Sequence, residues 1–99
     1  VDMKAIMIMY NQAMTEKVEC LLEMLNIRGF TQWPSVYGTG TTDGEPRMGT
    51  HTWPELNSAL LTIVEEDMVD TVLEKIKKLD TINKEIGIRA FVWHVEKTV

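Results

Sequence analysis

Two stretches of helical periodicity, each following an apolar run of strand length, constrain this chain more than any other feature. Residues 3 to 10 are almost continuously apolar, the pattern of a central strand covered on both faces. Residues 11 to 14 turn the chain. Thr15 stands where a helix N-cap belongs, and Val18, Leu21, Leu22 and Leu25 follow at i, i+3, i+4, i+7 on one stripe. Gly29 is the expected stop. The pattern then repeats: residues 58 to 64 read as a strand and Glu65, Glu66 and Asp67 as an acidic helix start. Val69, Val72, Leu73, Ile76 and Leu79 renew the stripe, with Lys75, Lys77 and Lys78 complementing the dipole near the helix end. Residues 80 to 87 are a polar connection.

Two further strands complete the pattern. Residues 30 to 37 are aromatic and β-branched, but Pro34 cannot donate to a ladder, which sends this strand to an edge or gives it a bulge. Residues 88 to 95 form the last strand. The order β-α-β-β-α-β predicts an α+β, ferredoxin-like sandwich: a four-stranded antiparallel sheet with two helices on one face, as a single domain over residues 1–99. In that topology the first and third strands are central and Pro34 falls at an edge. Leu60, Thr62 and Val64 on one parity and Leu61 and Ile63 on the other are largely apolar, so the face without helices is expected to be buried against other copies of the chain. Between the second and third strands, residues 38 to 57 carry four glycines and two prolines. A loop of this length in a small domain is usually functional or disordered, since the median is roughly 4–6 residues.

A net charge of −5 argues against nucleic-acid binding, which needs clustered cations to displace counterions from phosphates. The lone cysteine, Cys20, cannot form an intrachain disulfide, and no apolar run approaches the roughly 20 residues of a membrane span, so the expected compartment is the cytoplasm.

No catalytic constellation emerges, and the chain is read as a non-enzyme. Cys20 falls mid-helix among leucines and is expected to be a small buried thiol. Asp43 and Glu45 lie in the loop with nothing to shift or fix them. The run Gly38-Thr39-Gly40 admits close backbone approach to an anion, but no helix opens after it, and a hinge is the more ordinary explanation. His51 and Trp53 in Gly49-Thr50-His51-Thr52-Trp53-Pro54 leave two readings open: a metal or partner site, or an indole folded back on the loop base. His94 near the end of an edge strand reads as a surface or interface residue. Met3, Met7 and Met9 share one strand face and read as core filling.

The layout, together with Gly29-Phe30-Thr31, Gly38-Thr39-Gly40, Ile63-Val64-Glu65-Glu66-Asp67 and Arg89-Ala90-Phe91-Val92, resembles the PII signal-transduction family over nearly the whole chain. Residues 49 to 54 resemble a Gly-Thr-His-x-Trp-Pro segment of its smaller PII-like branch. The resemblance implies a cytoplasmic homotrimeric regulator, with an adenine nucleotide (ATP, ADP or AMP) as effector in each cleft between subunits and no required cofactor. It also implies that residues 38–57 reach a transporter or other regulated protein, so that any membrane contact is indirect. Carried over by position, Thr31 lies beside the adenine, Gly38, Thr39 and Gly40 at the phosphates, Val64 along the cleft, and Arg89 where a phosphate-facing lysine is usual. Arg47, His51 and Trp53 fall in the partner-facing loop. Only one glycine, Gly87, precedes Arg89 where the family has several, and Tyr37 sits at the loop base rather than inside it. A second resemblance, to the trimeric ferredoxin-like CutA group, implies a metal-responsive binding protein with His51 as ligand and His94 as a further candidate.

Overall fold

The computed structural model describes residues 2–39, 46–47, 56–82 and 87–99. Four long strands form one antiparallel sheet: β1 (Met3–Asn11), β2 (Phe30–Val36), β5 (Asn57–Glu65) and β6 (Ile88–His94), in the order β2-β5-β1-β6. A two-residue ladder, β3 (Gly38–Thr39) with β4 (Pro46–Arg47), stands apart from it. The helices are α1 (Thr15–Met24) and α2 (Val69–Ile82), each led in by a 3₁₀ turn, Gln12–Met14 and Glu66–Met68. This is the ferredoxin-like βαββαβ arrangement, with the two most apolar strands central and the proline-bearing strand at an edge.

Strand parity divides the sheet. Ile6, Ile8 and Tyr10 of β1, Leu60 and Val64 of β5 and Ile88 of β6 form one buried cluster with Val18, Leu21 and Leu22 of α1 and Val72 and Ile76 of α2. Both helices therefore seal the same face, as their stripes predict. Along β1 and β5 the alternate residues face the other way.

The edge strand β2 is held by side chains where its ladder fails. Its register to β5 shifts between Trp33 and Val36, around Pro34. The hydroxyl of buried Ser58 donates to the Pro34 carbonyl (2.7 Å) and that of buried Thr62 to the Gly29 carbonyl (2.7 Å), one at the bulge and one just ahead of the strand. Gln32 Nε2 donates to the hydroxyl of buried Tyr10 (2.8 Å). Polar groups buried beneath an edge thus hold the partners that burial demands.

Several local expectations are corrected. The capped start is that of the 3₁₀ turn, where Asn11 Oδ1 accepts from the Ala13 N–H (2.8 Å); α1 itself follows from Met14 with no side-chain cap, and Thr15 is already its first helical residue. The helix stops at Asn26, not Gly29. Asn26 takes the left-handed backbone (φ 59°), while the Ile27 N–H reaches the Leu22 carbonyl (2.8 Å) and the Asn26 N–H the Glu23 carbonyl (2.9 Å), the two bonds of a Schellman motif. Cys20 is exposed, not buried. It lies two residues from buried Val18, about 200° around the helix, so its thiol faces away from the sheet. Met3, Met7 and Met9 do share a face, but it is the one opposite the helices, and Met9 is exposed there. Finally, α2 continues through Ile82, with no basic residue in its last turn, so the three lysines sit further inside the helix than expected.

Candidate functional site

The face opposite the helices is largely apolar. Registers place Trp33, Ala59, Met9 and Arg89 in one cross-strand row, Thr31, Leu61, Met7 and Phe91 in the next, and Ile63, Ala5 and Trp93 in a third. Met9, Trp33, Ile63, Phe91 and Trp93 remain 42–53% exposed. Large side chains half-buried by one another form a contiguous patch, unlike the scattered single hydrophobes of an ordinary surface. Thr31 and Arg89 are the polar residues at its two margins.

Those two lie on opposite edge strands, β2 and β6, and both are exposed. Three strand spacings separate the two strands, roughly 14 Å. Within one chain Thr31 and Arg89 do not converge; they meet only if the margins of two copies are brought together. Val64 belongs to the opposite face: its side chain is in the core beneath the helices, which departs from a cleft-lining role. At the far end of β2, Gly38 pairs with Arg47 and Thr39 with Pro46. A Cβ on Gly38 would stand 3.1 Å from Asn57 Nδ2, so close packing by itself favours glycine there. Gly87 leads into β6 with φ 84°, a backbone that side chains resist, and its carbonyl accepts from the Asn11 N–H (3.3 Å) two residues before Arg89. Gly40, His51 and Trp53 lie outside the described residues. His94 is exposed, and among the described residues no three His, Cys, Asp or Glu side chains gather as a metal site. No helix among the described residues is long and apolar enough to cross a membrane.

The sequence model of the nitrogen regulatory protein P-II family matches residues 3–99. The chain belongs to that family. Solved PII-like structures share its fold. CPII from Thiomonas intermedia K12, bound to ADP, AMP and bicarbonate, superposes with a TM-score of 0.75 at 18% identity, over 96% of this chain and 87% of that one. The same protein bound to ADP and bicarbonate gives 0.77 at 19%, with the same coverage. A PII-like signalling protein from Thermus thermophilus gives 0.67 at 19%, over 96% and 88%. No curated protein sequence matches this P-II chain.

The element order and the edge position of the Pro34 strand are legible in local sequence patterns. The opposition of Thr31 and Arg89 across the open face escapes sequence reading, because only the register puts each residue on a face and at a margin.

Proposed function

We propose that this P-II family chain is a cytoplasmic regulator, one domain over residues 1–99, that binds an adenine nucleotide in clefts between copies of itself and signals to a partner protein through residues 38–57. The copies assemble as a homotrimer, their open sheet faces turned inward. The observation that carries this reading is the apolar face with Thr31 at one margin and Arg89 at the other. Covering that face removes half-exposed Trp, Phe, Ile and Met side chains from water, and it brings the β2 margin of one copy to the β6 margin of another.

In the cleft so formed, Thr31 offers a hydroxyl to the base, and the guanidinium of Arg89 forks onto phosphate oxygens. Backbone N–H groups of Gly38, Thr39 and Gly40 supply donors beside it. Val64 takes part through its backbone alone, since its side chain is in the core. Arg47, His51 and Trp53 are the partner-facing residues, and a transporter is one class of partner. The nucleotides named for CPII, ADP and AMP, support this choice of effector.

Calorimetry with ATP, ADP and AMP tests the reading. Heat should appear with at least one nucleotide and should weaken at least tenfold in affinity in Arg89→Ala, the loss of a charge-assisted pair. Absence of heat with all three, or affinity indifferent to Arg89, removes the nucleotide from the account.

A further inference from the structure

Gln12 stands where three separate segments meet. Its backbone N–H donates to the Leu56 carbonyl (2.8 Å), on the chain returning to β5. Its side-chain Nε2 donates to the Pro34 carbonyl (3.0 Å) and to Ser35 Oγ (3.2 Å), at the bulge where the chain leaves β2. The residue before it, Asn11, donates its N–H to the Gly87 carbonyl at the start of β6. One residue in a 3₁₀ turn therefore holds both stems of the β2–β5 connection, and its neighbour holds the stem that presents Arg89.

We propose that Gln12 is a positioning residue: its carboxamide staples the outgoing stem to the turn that already holds the returning stem, and this fixes the two stems that flank residues 38–57. The staple acts where the ladder is weakest. Pro34 has no N–H to give, and pairing to β5 shifts register between Trp33 and Val36. The Pro34 carbonyl compensates by accepting twice, from Ser58 Oγ and from Gln12 Nε2. Ser58 fastens the bulge to its own sheet, whereas Gln12 fastens it to the turn leading into α1. The consequence for signalling rests on the loop reading given above; the staple itself does not.

The donor is what matters, so three variants separate chemistry from bulk. Gln12→Ala removes both side-chain bonds and keeps the backbone one. Gln12→Glu keeps the shape but sets a carboxylate against the Pro34 carbonyl. Gln12→Lys restores a donor, and an open hollow of about 490 Å³ beside Gln12 gives the longer chain room. Amide hydrogen exchange on the full-length protein reads the result at Gln12, Val36 and Asn57, with the α2 amides of Val72 and Ile76 as internal reference.

Exchange at the three stem amides should rise about three- to tenfold in the Ala and Glu variants, the factor a net hydrogen bond amounts to, and return toward wild type with Lys. The α2 amides should not move. Unchanged stem exchange in both Ala and Glu overturns the staple, and so does a rise spread equally over α2, which would make Gln12 a residue of global stability. Nucleotide titration of the same variants keeps the two readings apart: stem exchange that follows the donor while wild type binds no nucleotide leaves the staple standing and removes the nucleotide.

Discussion

The two faces of the sheet are made by the same strands and carry much the same apolar side chains, yet α1 and α2 cover only one of them. On the covered face Ile6, Ile8, Leu60 and Val72 are fully buried; on the other, Met9, Ile63, Phe91 and Trp93 stay about half in water. Apolar content therefore does not tell a covered face from an open one in a chain this small. Parity does, once the helices say which parity is theirs. The polar residues differ in the same way. On the covered face Ser58 and Thr62 are buried and bonded to the backbone beside them, while on the open face Thr31 and Arg89 stand exposed at the margins, open to something outside the chain.

The sharpest way to break this contrast is to shorten one residue on each side of β5. Leu60→Ala, wholly within the core, should lower the unfolding free energy by about 3 kcal/mol in urea titration, irrespective of protein concentration. Ile63→Ala should cost about 1 kcal/mol in dilute protein, and its cost should grow with concentration because the open face is stabilised by mass action. Equal, concentration-independent losses would mean that the open face has no partner.

A smaller effect sharpens the account of the edge. Thr62→Val keeps the shape but leaves the Gly29 carbonyl without its donor, and about 1–2 kcal/mol should be lost in the same titration. The smallest effects separate two glycines that look alike in sequence. At Gly38 an added methyl meets Asn57 at 3.1 Å, so Gly38→Ala should destabilise by under about 1 kcal/mol and broaden the Asn57 side-chain amide signals in NMR. At Gly29 nothing lies within 4 Å, and Gly29→Ala should be neutral or stabilise by about 0.5 kcal/mol in a thermal melt.

These cases also mark what the sequence could say. Period-2 and period-3.6 patterns located the four long strands and both helices, and Pro34 announced its edge, because each signal is local. Cys20 was legible too: its angle from Val18 and Leu21 puts it on the outer side, and only the neighbouring leucines made it look buried. The αL stop at Asn26 was hidden because asparagine tolerates that backbone while a glycine three residues later looked the better candidate. The β3–β4 ladder and the Gln12 bonds had no local signal at all. The Gln12 bonds depend on segments more than twenty residues apart meeting at one corner of the sheet, and the placing of Thr31 opposite Arg89 depends on register in the same way.

Sedimentation equilibrium of the unmodified chain reads whether the open face is covered. If sister copies close over the row of Trp33, Met9 and their neighbours, the particle mass should be three times the 11.3 kDa of one chain, and Ile63→Lys should reduce it to one. A wild-type particle of single-chain mass across the micromolar range would contradict the account and leave no seam in which an effector could sit.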